Sequence, residues 1–369
     1  MFTDLDHEFM AIALEQAKLA RWISQPNPRV GCVIVSNGKI IGKGFTQIPG
    51  QAHAEIEALR DAQLGEKDVT GSTVYVTLEP CCHSGRTPPC TTALIKAKVS
   101  RVIIAAPDPN PLVAGQGVKL LEEAGIEVKS GLLARESVAI NPGFFKRMLS
   151  GMPWVRLKIA SSIDGITALP NGQSQWITGP IARQDGHLWR AQAGAILTGA
   201  GTVKEDNPQL TVRNVDSPHQ PLRVIVDSHL ETPLQSHILT NGRTLIVCAR
   251  PEEKHLQSIK KSLTSMGVEL LQLPNLQGKV DLSALLKHLA TSYEINEIHV
   301  EAGFKLNGSL IREDLVDELL IYQAPTLLGT GAGISNLGPL HSLGDRFDWQ
   351  LVEHTSLGED LRLRFLRKI

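Results

Sequence analysis

The chain has 369 residues, which is more than one hydrophobic core usually contains, so its length predicts about two domains. Its formal net charge is -1, and it holds only 8 Phe, 5 Trp and 3 Tyr. This composition argues against the basic, aromatic-rich surface of a nucleic-acid binder and favours a small substrate. No apolar run approaches the roughly twenty residues that cross a bilayer, which excludes a membrane-spanning protein.

The N-terminal residues 1–8 are acidic and lead directly into a helical pattern, unlike a secretory signal or an Arg-rich transit peptide. We therefore expect a cytoplasmic protein. The chain has five cysteines, and three of them, Cys81, Cys82 and Cys90, crowd into one short segment. In a chain without a signal peptide, such crowding indicates a metal site and not disulfides.

Helices and strands alternate in the first half of the chain. Apolar residues at helical spacing predict a helix over residues 5–20, which ends before Pro26. Asn37-Gly38 predicts a hairpin between strands at 30–35 and 39–44, because both residues tolerate positive φ. Further on, we predict helices over 52–62, 91–97 and 117–124 and strands over 73–78 and 101–106. This alternation predicts a three-layer α/β/α sandwich with active groups at strand ends and helix N-termini.

A segment with several prolines and glycines, 142–153, contains the expected boundary, and we divide the chain into residues 1–149 and 150–369. Beyond the boundary the apolar pattern restarts and predicts a second α/β domain. Its strand candidates are 154–160, 195–198, 222–226, 244–248, 298–301 and 318–322. We find no internal repeat that would relate the two halves.

One imidazole and two thiols lie at the ends of predicted elements: His53 near the start of a helix, Cys81 after a strand and Cys90 before the next helix. Helix N-termini lower the pKa of a thiol and so favour the thiolate form that binds metal. Three such ligands around zinc leave the fourth tetrahedral position to water, which distinguishes a catalytic site from a structural one. Water in that position ionises near neutral pH and can attack an amidine-like ring carbon.

Glu55 is a carboxylate that the metal does not need as a ligand. In zinc deaminases such a glutamate carries the proton from the attacking water to the leaving ammonia. Residues two apart on a helix point in nearly opposite directions, so His53 and Glu55 share a site only if His53 belongs to the non-helical cap turn. Glu57 is the competing carboxylate, and a solvated helix position is its plainer interpretation. Cys82 is a rival ligand, and all of the cysteines could instead be small buried apolar residues.

His53-Ala54-Glu55 and residues 76–90 closely resemble the deaminase half of the bifunctional riboflavin-biosynthesis deaminase/reductase family. The resemblance implies a cytidine-deaminase-like fold in which His53, Cys81 and Cys90 bind zinc and Cys82 is a bystander. The long spacing between Cys81 and Cys90 is typical of that family. Segments 27–31 and 108–111 are also similar to it, and the resemblance implies three substrate contacts: Asn27, His83 and Arg86.

The glycine patterns of the second half are weak by themselves. Gly199-Ala200-Gly201 follows a predicted strand, yet Lys204 stands where the Rossmann fingerprint requires its third glycine. Residues 301–309 form a strand-to-helix turn whose N–H groups could hold a phosphate, although many such turns have no ligand. Taken alone, these segments do not identify a reaction.

Residues 161–165, 174–179, 195–213 and 301–309 are similar, in the same order, to the reductase half of the same family. The resemblance thus extends over essentially the whole chain, and it implies a dihydrofolate-reductase-like fold that uses NADPH as its hydride source. The positions that match cofactor contacts are Ala160, Trp176, Thr202, Asp206, Gly303, Phe304, Lys305, Leu306, Asn307, Gly308 and Ser309. The positions that match substrate contacts are Ser174, Arg190, Leu210, Arg213 and Glu301.

Four charged residues have roles that the sequence leaves open. Arg190 and Arg213 suit a substrate phosphate, because a guanidinium group offers two parallel donors, but either could be an ordinary surface arginine. Lys158 and Asp164 are candidate proton donors or orienting residues, with structural roles equally open.

The resemblance implies two successive activities on phosphorylated pyrimidines. The first is zinc-dependent hydrolytic deamination of 2,5-diamino-6-(5-phosphoribosylamino)pyrimidin-4(3H)-one, and the second is NADPH-dependent reduction to 5-amino-6-(5-phosphoribitylamino)uracil. We expect no nucleic-acid or membrane partner, and we expect a homo-oligomer. The alternative is a deaminase of tRNA or single-stranded nucleic acid with a C-terminal recognition module. A third hypothesis makes the zinc structural and the second domain a ligand sensor.

Overall fold

The computed structural model describes residues 1–83, 88–111, 113–240, 242–249 and 256–368. The chain divides into two units, Met1–Gly151 and Met152–Ile369. Within the described ranges, no helix combines the length and the apolar character that crossing a membrane requires.

The first unit contains five strands and six α-helices among its described residues. The strands are β1 (Gly31–Ser36), β2 (Lys39–Phe45), β3 (Thr73–Leu78), β4 (Arg101–Ala106) and β5 (Glu127–Ser130). The helices are α1 (Asp4–Leu19), α2 (Ala54–Leu64), α3 (Cys90–Lys96), α4 (Gln116–Glu123), α5 (Ala134–Ile140) and α6 (Pro142–Ser150), and a 3₁₀ turn covers Ala20–Trp22.

The strands form one sheet in the order β2-β1-β3-β4-β5. Strand β1 runs antiparallel to both of its neighbours, and β3, β4 and β5 are parallel. Successive residues of a strand face opposite sides. Ile103 therefore packs in the layer of α1 and Ile104 in the layer of α2, α3 and α4. The predicted α/β/α sandwich is confirmed.

The predicted elements of the first unit all occur, each within two residues of its predicted ends. Asn37 and Gly38 have φ values of 50° and 72°, as the hairpin requires. Three elements were not predicted: β5, α5 and α6. Strand β5 and helix α5 have only 4 and 7 residues and lie between the last predicted helix and the domain boundary, and α6 lies within the predicted boundary segment.

The second unit is built around a larger sheet. Its strands are β6 (Trp154–Ser161), β7 (Ile166–Ala168), β8 (Ala195–Gly199), β9 (Leu222–Val226), β10 (Thr244–Cys248), β11 (Glu269–Gln272), β12 (Glu297–Val300), β13 (Glu318–Gln323), β14 (Ala332–Gly333), β15 (Trp349–Leu357) and β16 (Asp360–Arg367). Its helices are α7 (Pro180–Gln192), α8 (Ala200–Asp206), α9 (Gln257–Ser265), α10 (Leu282–Ser292) and α11 (Phe304–Arg312), with 3₁₀ turns at His237–Leu239 and Leu343–Asp345.

Nine strands form the main sheet in the order β11-β10-β9-β8-β12-β6-β13-β16-β15, and β7 pairs with β14. In this order, the first seven strands, from β11 through β13, are parallel to one another. Strands β16 and β15 add an antiparallel edge. Residues of α10 and α11 pack in one apolar cluster with the sheet, and residues of α8 and α9 pack in another. Helix α7 contributes Ala182 and Trp189 to a third cluster with Leu320 and Tyr322 of β13.

The six predicted strands of this unit all occur, and β7, β11, β14, β15 and β16 were missed. The long strands β15 and β16 are partly exposed and carry charged residues, so they lack the continuous apolar run by which buried strands are recognised. Glu301 was predicted inside a strand, but β12 ends at Val300. Glu301 therefore lies just beyond the carboxyl end of that strand.

A charged cluster joins α7 to the antiparallel edge of the second sheet. Three guanidinium groups lie near the Trp189 ring, with distances from Cζ to the ring centroid of 4.4 Å for Arg156, 5.5 Å for Arg362 and 5.7 Å for Arg364. Glu318, which is fully buried, forms an ion pair with Arg156 at 3.1 Å and another with Arg364 at 2.5 Å. Burial alone would raise the pKa of Glu318, but these two positive charges outweigh burial and lower it to about 2.

A second buried carboxylate stabilises the start of the first unit. Asp6 is 2% exposed and accepts from the Thr3 backbone N–H at 2.8 Å, the Tyr75 hydroxyl at 2.8 Å and Arg101 Nη1 at 3.1 Å. Burial would raise the pKa of Asp6, but these donors together outweigh it and lower the pKa to about 2. Asp6 thus connects α1 to strands β3 and β4.

We predict that Asp6→Asn lowers the free energy of unfolding of the first unit at pH 7 by about 1–3 kcal/mol, because it leaves buried donors without their charged acceptor. The carboxylate has a depressed folded-state pKa, so its contribution is present above about pH 4 and is lost as the pH falls towards 2. Urea unfolding followed by circular dichroism at pH 7 and pH 3 measures this difference. Glu8→Gln on the exposed side of α1 is the control, and an equal effect of Asp6→Asn at both pH values would contradict the prediction.

Candidate functional site

His53 stands at the N-cap of α2, with φ −78° and ψ 168°, and is therefore outside the helix. Glu55 belongs to the first helical turn and is 3% exposed. The extended backbone of His53 removes the helical geometry that would turn these two side chains to opposite sides. The structure thus places His53 in the non-helical cap turn, as is required if His53 and Glu55 are to share one site.

The described residues include one group of side chains able to hold a metal ion, and it consists of His53, Cys81 and Cys90. Their ligand atoms lie within 4.8 Å of one another. His53 Nδ1 is 3.5 Å from Cys81 Sγ and 3.4 Å from Cys90 Sγ. An imidazole with two thiols is a donor set that suits zinc. Cys82, the rival ligand, is outside this group.

The three side chains influence one another's ionisation. The Cys90 thiol donates to Cys81, and this bond, together with His53 and the Cys90 backbone N–H at 3.3 Å, lowers the pKa of Cys81 to about 4. The same bond to Cys81, together with burial, raises the pKa of Cys90. The hydrogen bond to Cys81 also raises the pKa of His53. One thiolate thus forms readily, and a cation would favour loss of the second thiol proton.

Glu55 is next to this group and differs sharply from Glu57. Burial raises the pKa of Glu55 to about 7, and the charge of Cys81 adds to this effect. A carboxyl group with a pKa near neutrality can both accept and donate a proton in one reaction cycle. Glu57, in contrast, forms an ion pair with Arg60 at 2.7 Å, and its side chain is 30% exposed. Glu57 is a solvated helix residue.

The segment that follows β4 also lies near Cys81. Burial raises the pKa of Asp108 to about 6, and the charges of Glu79 and Cys81 contribute to this rise. Glu79 is 3% exposed and was not predicted as a site residue. Its position directly before Pro80-Cys81 was the available signal, but its partners are distant in the sequence.

Asn27 and His83, two of the predicted substrate contacts of the first unit, are on loops. Asn27 is half-buried in the turn after the first 3₁₀ helix, where its backbone N–H donates to Ser24 O at 2.7 Å. His83 is exposed in the loop that follows the cysteine pair. Arg86 lies outside the described residues.

A second polar cluster lies at the carboxyl end of β12, beside Lys158 of β6, and includes Glu301 and Arg190 of α7. Arg190 Nε and Nη2 donate to the two oxygens of Glu301 at 2.5 and 2.9 Å, and Nη1 donates to Thr211 O at 3.1 Å. The two donors of Arg190 that were expected to hold a substrate phosphate are therefore bound to a carboxylate. Burial would raise the pKa of Glu301, but Arg190 and Lys158 outweigh it and hold the pKa well below its usual range.

Lys158 and His299 complete the surroundings of Glu301. Lys158 Nζ is 3.9 Å from Glu301, and burial lowers the pKa of Lys158 against the opposing charge of Glu301. His299 is fully buried on β12, with Nε2 3.4 Å from Glu301, and burial lowers its pKa. His299 was missed because a lone histidine inside an apolar strand has no motif.

Asp164 has a different environment from Lys158. It accepts hydrogen bonds from the Ser162 hydroxyl and from the backbone N–H groups of Leu328 and Gly329, the last at 2.8 Å. These bonds lower the pKa of Asp164 and hold the loop at 328–329. The structural role left open for Asp164 is the one that these contacts support.

Of four further predicted residues, Ser174 and Asp206 are joined by a hydrogen bond, whereas Arg213 and Leu210 are not part of that pair. The Ser174 hydroxyl donates to Asp206 at 2.8 Å. Arg213 is exposed, and its Nη1 donates to the neutral oxygens of Gln209 at 2.8 Å and Thr211 at 3.3 Å. Leu210 is buried, with a positive φ of 48°.

The glycine turn at 301–309 is a helix start. Gly303 is the N-cap of α11 and has no side-chain cap bond. A Cβ on Gly303 would lie 3.5 Å from Thr202 Oγ1, so the first turns of α8 and α11 are neighbours. Helix N-termini attract phosphate groups, which makes this a fitting place for a nucleotide cofactor.

The remaining predicted cofactor positions include both exposed and packed residues. Trp176 is 70% exposed, and Arg183 lies 4.6 Å from its ring centroid. Asn307 and Gly308 are buried, and a Cβ on Gly308 would lie 2.0 Å from Asn336 O, so this glycine is required by packing. The other members are half-buried or exposed: Ala160, Phe304, Lys305, Leu306 and Ser309.

Comparison with known families identifies both units. Residues 3–106 match the cytidine and deoxycytidylate deaminase zinc-binding region, in agreement with the His/Cys/Cys group. Residues 153–363 match the RibD C-terminal domain. The chain is therefore a two-part enzyme in which a zinc-binding deaminase region precedes a reductase domain.

Full-length relatives define the family. The riboflavin biosynthesis protein RibD of Escherichia coli is 43% identical over 98% of this chain and 99% of its own length, and that of Haemophilus influenzae is 44% identical over 100% and 99%. The structure of Acinetobacter baumannii RibD has a TM-score of 0.90 at 42% identity, with 99% of each chain covered. This chain belongs to the RibD family of bifunctional deaminase/reductases of riboflavin biosynthesis.

We predict that Cys81→Ser and Cys90→Ser each lose bound zinc, whereas Cys82→Ser keeps it, because only the first two thiols lie beside His53. The measurement is the zinc content of each purified variant by elemental analysis after dialysis. Cys82→Ser is the matched control, since it removes the neighbouring thiol of the same loop. Zinc loss in Cys82→Ser with retention in Cys90→Ser would contradict the ligand set.

Proposed function

We propose that residues 1–149 deaminate 2,5-diamino-6-(5-phosphoribosylamino)pyrimidin-4(3H)-one and that residues 150–369 then reduce its ribosyl group with NADPH. The buried Glu55 beside His53, Cys81 and Cys90 is the observation that carries this proposal. A structure from Thermotoga maritima, described as a diaminohydroxyphosphoribosylaminopyrimidine deaminase/5-amino-6-(5-phosphoribosylamino)uracil reductase, supports the substrate. It is 31% identical, covers 99% of each chain and has a TM-score of 0.86.

In the deaminase step, Glu55 moves two protons in turn. When bound by His53, Cys81 and Cys90, zinc would supply a polarised water near neutral pH. Glu55 accepts a proton from the attacking water and passes it to the adjacent ring nitrogen as the C–O bond forms at the ring carbon. Glu55 then carries the proton of the new hydroxyl group to the amino group, the C–N bond breaks, and ammonia leaves the ring carbonyl without any redox change. The pKa of Glu55 suits both transfers.

In the reductase step, the chain binds the cofactor and supplies a proton. NADPH would bring the hydride to the C1′ carbon of the ribosyl group. We assign its phosphates to the first turn of α11 at Gly303 and its further contacts to the region of Thr202 and Asp206. Lys158 would donate a proton from Nζ to the ribosyl ring oxygen as its bond to C1′ breaks. Its lowered pKa favours such a transfer.

Arg213 is the proposed partner of the substrate phosphate. Its described side-chain partners are neutral, whereas Arg190 is held by Glu301. Burial and the positive charge of Arg190 lower the pKa of Arg213, so a bound anion would relieve this repulsion. In this proposal, Arg190 acts by fixing Glu301 next to Lys158.

We predict that Glu55→Gln lowers the rate of ammonia release by about 10²- to 10⁴-fold, because the amide cannot carry the proton. Zinc content and NADPH oxidation with already deaminated substrate should remain. Ammonia and NADPH are followed separately with the diamino-pyrimidinone phosphate. Glu57→Gln is the control, because it changes the solvated carboxylate two residues away and should keep both activities.

The same assay tests the order of the steps. Wild-type protein should release ammonia when NADPH is omitted, since deamination comes first. Ammonia release that requires NADPH would contradict this order. Full deaminase activity in Glu55→Gln would exclude the proposed proton carrier.

We predict that Arg213→Gln raises the KM of the reductase for its phosphorylated substrate by about 10- to 100-fold, because a charge-assisted contact is lost. The turnover number and the KM for NADPH should change little. Steady-state NADPH oxidation at varied concentrations of both substrates measures this. Arg243→Gln is the control, since Arg243 pairs with Glu269 in an exposed ion pair. A larger rise for NADPH than for the pyrimidine would assign Arg213 to the cofactor.

A further inference from the structure

The carboxylate of Glu79 binds four backbone N–H groups of one downstream segment. Oε2 accepts from Asp108 at 3.3 Å and from Gly115 at 3.1 Å. Oε1 accepts from Gly117 at 3.0 Å and from Val118 at 3.3 Å. Asp108 and Gly115 lie in the connection from β4 to α4, and Gly117 and Val118 lie in the first turn of α4. A single buried side chain thus holds both ends of that connection.

Glu79 makes these bonds from a place next to the metal group. It directly follows β3, and its own backbone N–H donates to Ala106 O, at the end of β4, at 3.1 Å. Cys81 follows two residues later. Since β3 and β4 are parallel neighbours, both connections leave the same edge of the sheet. The segment held by Glu79 therefore lies beside the loop that carries Cys81.

The start of α4 packs tightly on this loop. A Cβ on Gly117 would lie 2.2 Å from Pro80 O and 3.1 Å from Glu79 Oε1, so any larger residue would push α4 away. The negative charge of a carboxylate is also favourable at a helix N-terminus, where backbone N–H groups point outwards. Charge and shape therefore act together to hold α4 against Pro80.

We propose that Glu79 is a positioning residue of the deaminase site. It keeps the described residues of the connection from β4 to α4, which include Asp108 and Asn110, and the start of α4 beside the Cys81 end of β3, where the substrate would bind. This inference rests on the proposed deaminase activity. The metal ligands and Glu55 are held by β3, α2 and α3, so loss of the Glu79 contacts affects substrate binding more than the proton transfer.

Glu79→Gln tests this inference. Glutamine keeps the size of the side chain, but its NH₂ group would face two of the four N–H donors and cannot accept from them. In the full-length variant we expect amide hydrogen exchange of the 107–118 peptide to become about tenfold faster or more. We expect kcat/KM for deamination to fall by about 10- to 100-fold. The loss should come mainly through KM, because the segment beside the substrate loses its support while the metal ligands and Glu55 keep theirs. Zinc content and reductase activity should stay unchanged.

Gly117→Ala is a second variant, which disturbs the contact between α4 and the Glu79-Pro80 segment by changing the helix instead of Glu79. It leaves the Glu79 charge intact and moves α4 away from Pro80. We expect the same faster exchange and the same rise in KM. If Glu79→Gln does not fold, which loss of zinc and of the first unit's circular dichroism would reveal, Gly117→Ala decides the question.

Asp6→Asn is the matched control, because Asp6 is equally buried in the same unit but binds Thr3, Tyr75 and Arg101. It should lower stability without changing the KM for deamination, and exchange of the 107–118 peptide should become no faster than that of the other peptides of the first unit. The inference is overturned if Asp6→Asn produces the same changes, or if Glu79→Gln leaves exchange or KM at the wild-type value. Absence of ammonia release from the wild type would instead overturn the proposed function, and the exchange result would still report on the Glu79 contacts.

Discussion

The deaminase site depends on the position at which α2 begins. His53 is extended and Ala54 is helical, and this change of backbone between adjacent residues allows an imidazole and the Glu55 carboxylate to serve one site. One further residue of helix at the start would direct the two side chains apart. The two thiols also lie at the ends of elements. Cys81 comes after the end of β3, and Cys90 is the first residue of α3. The site is therefore formed jointly by the ends of several helices and strands, and no single element forms it alone.

The second unit uses strand ends in another way. Its polar cluster brings three positive side chains, Lys158, Arg190 and Arg213, near two carboxylates, Glu301 and Asp206. The bidentate bond to Arg190 fixes the Glu301 carboxylate, and the buried pair costs less than an isolated charge would. The positive charges then outnumber the negative ones. This excess supports the proposal that the second unit binds phosphorylated molecules here.

The residues of the deaminase site could be predicted from the sequence because their motif is local. His53 and Glu55 are two residues apart, and each cysteine ligand adjoins a clear strand or helix. It could not predict Glu79, because the meaning of that residue lies in backbone groups from Asp108 to Val118. It also suggested a phosphate for Arg190, since a guanidinium group suits phosphate and carboxylate equally. Only the fold shows that Glu301 lies beside it. Side-chain pairs between distant elements carry no local pattern, so the sequence alone does not reveal them.

The cluster around Trp189 has a consequence for how this chain can vary. Three arginines share the surroundings of one indole ring, and their charges are balanced by buried or half-buried carboxylates that include Glu318 and Asp185. Loss of one arginine leaves a carboxylate uncompensated, and loss of one carboxylate leaves guanidinium groups that repel each other. Neutral single substitutions are therefore scarce here. The β15–β16 edge can change its inward-facing residues only in compensating pairs, and its sequence drift must be concentrated on the outward-facing positions.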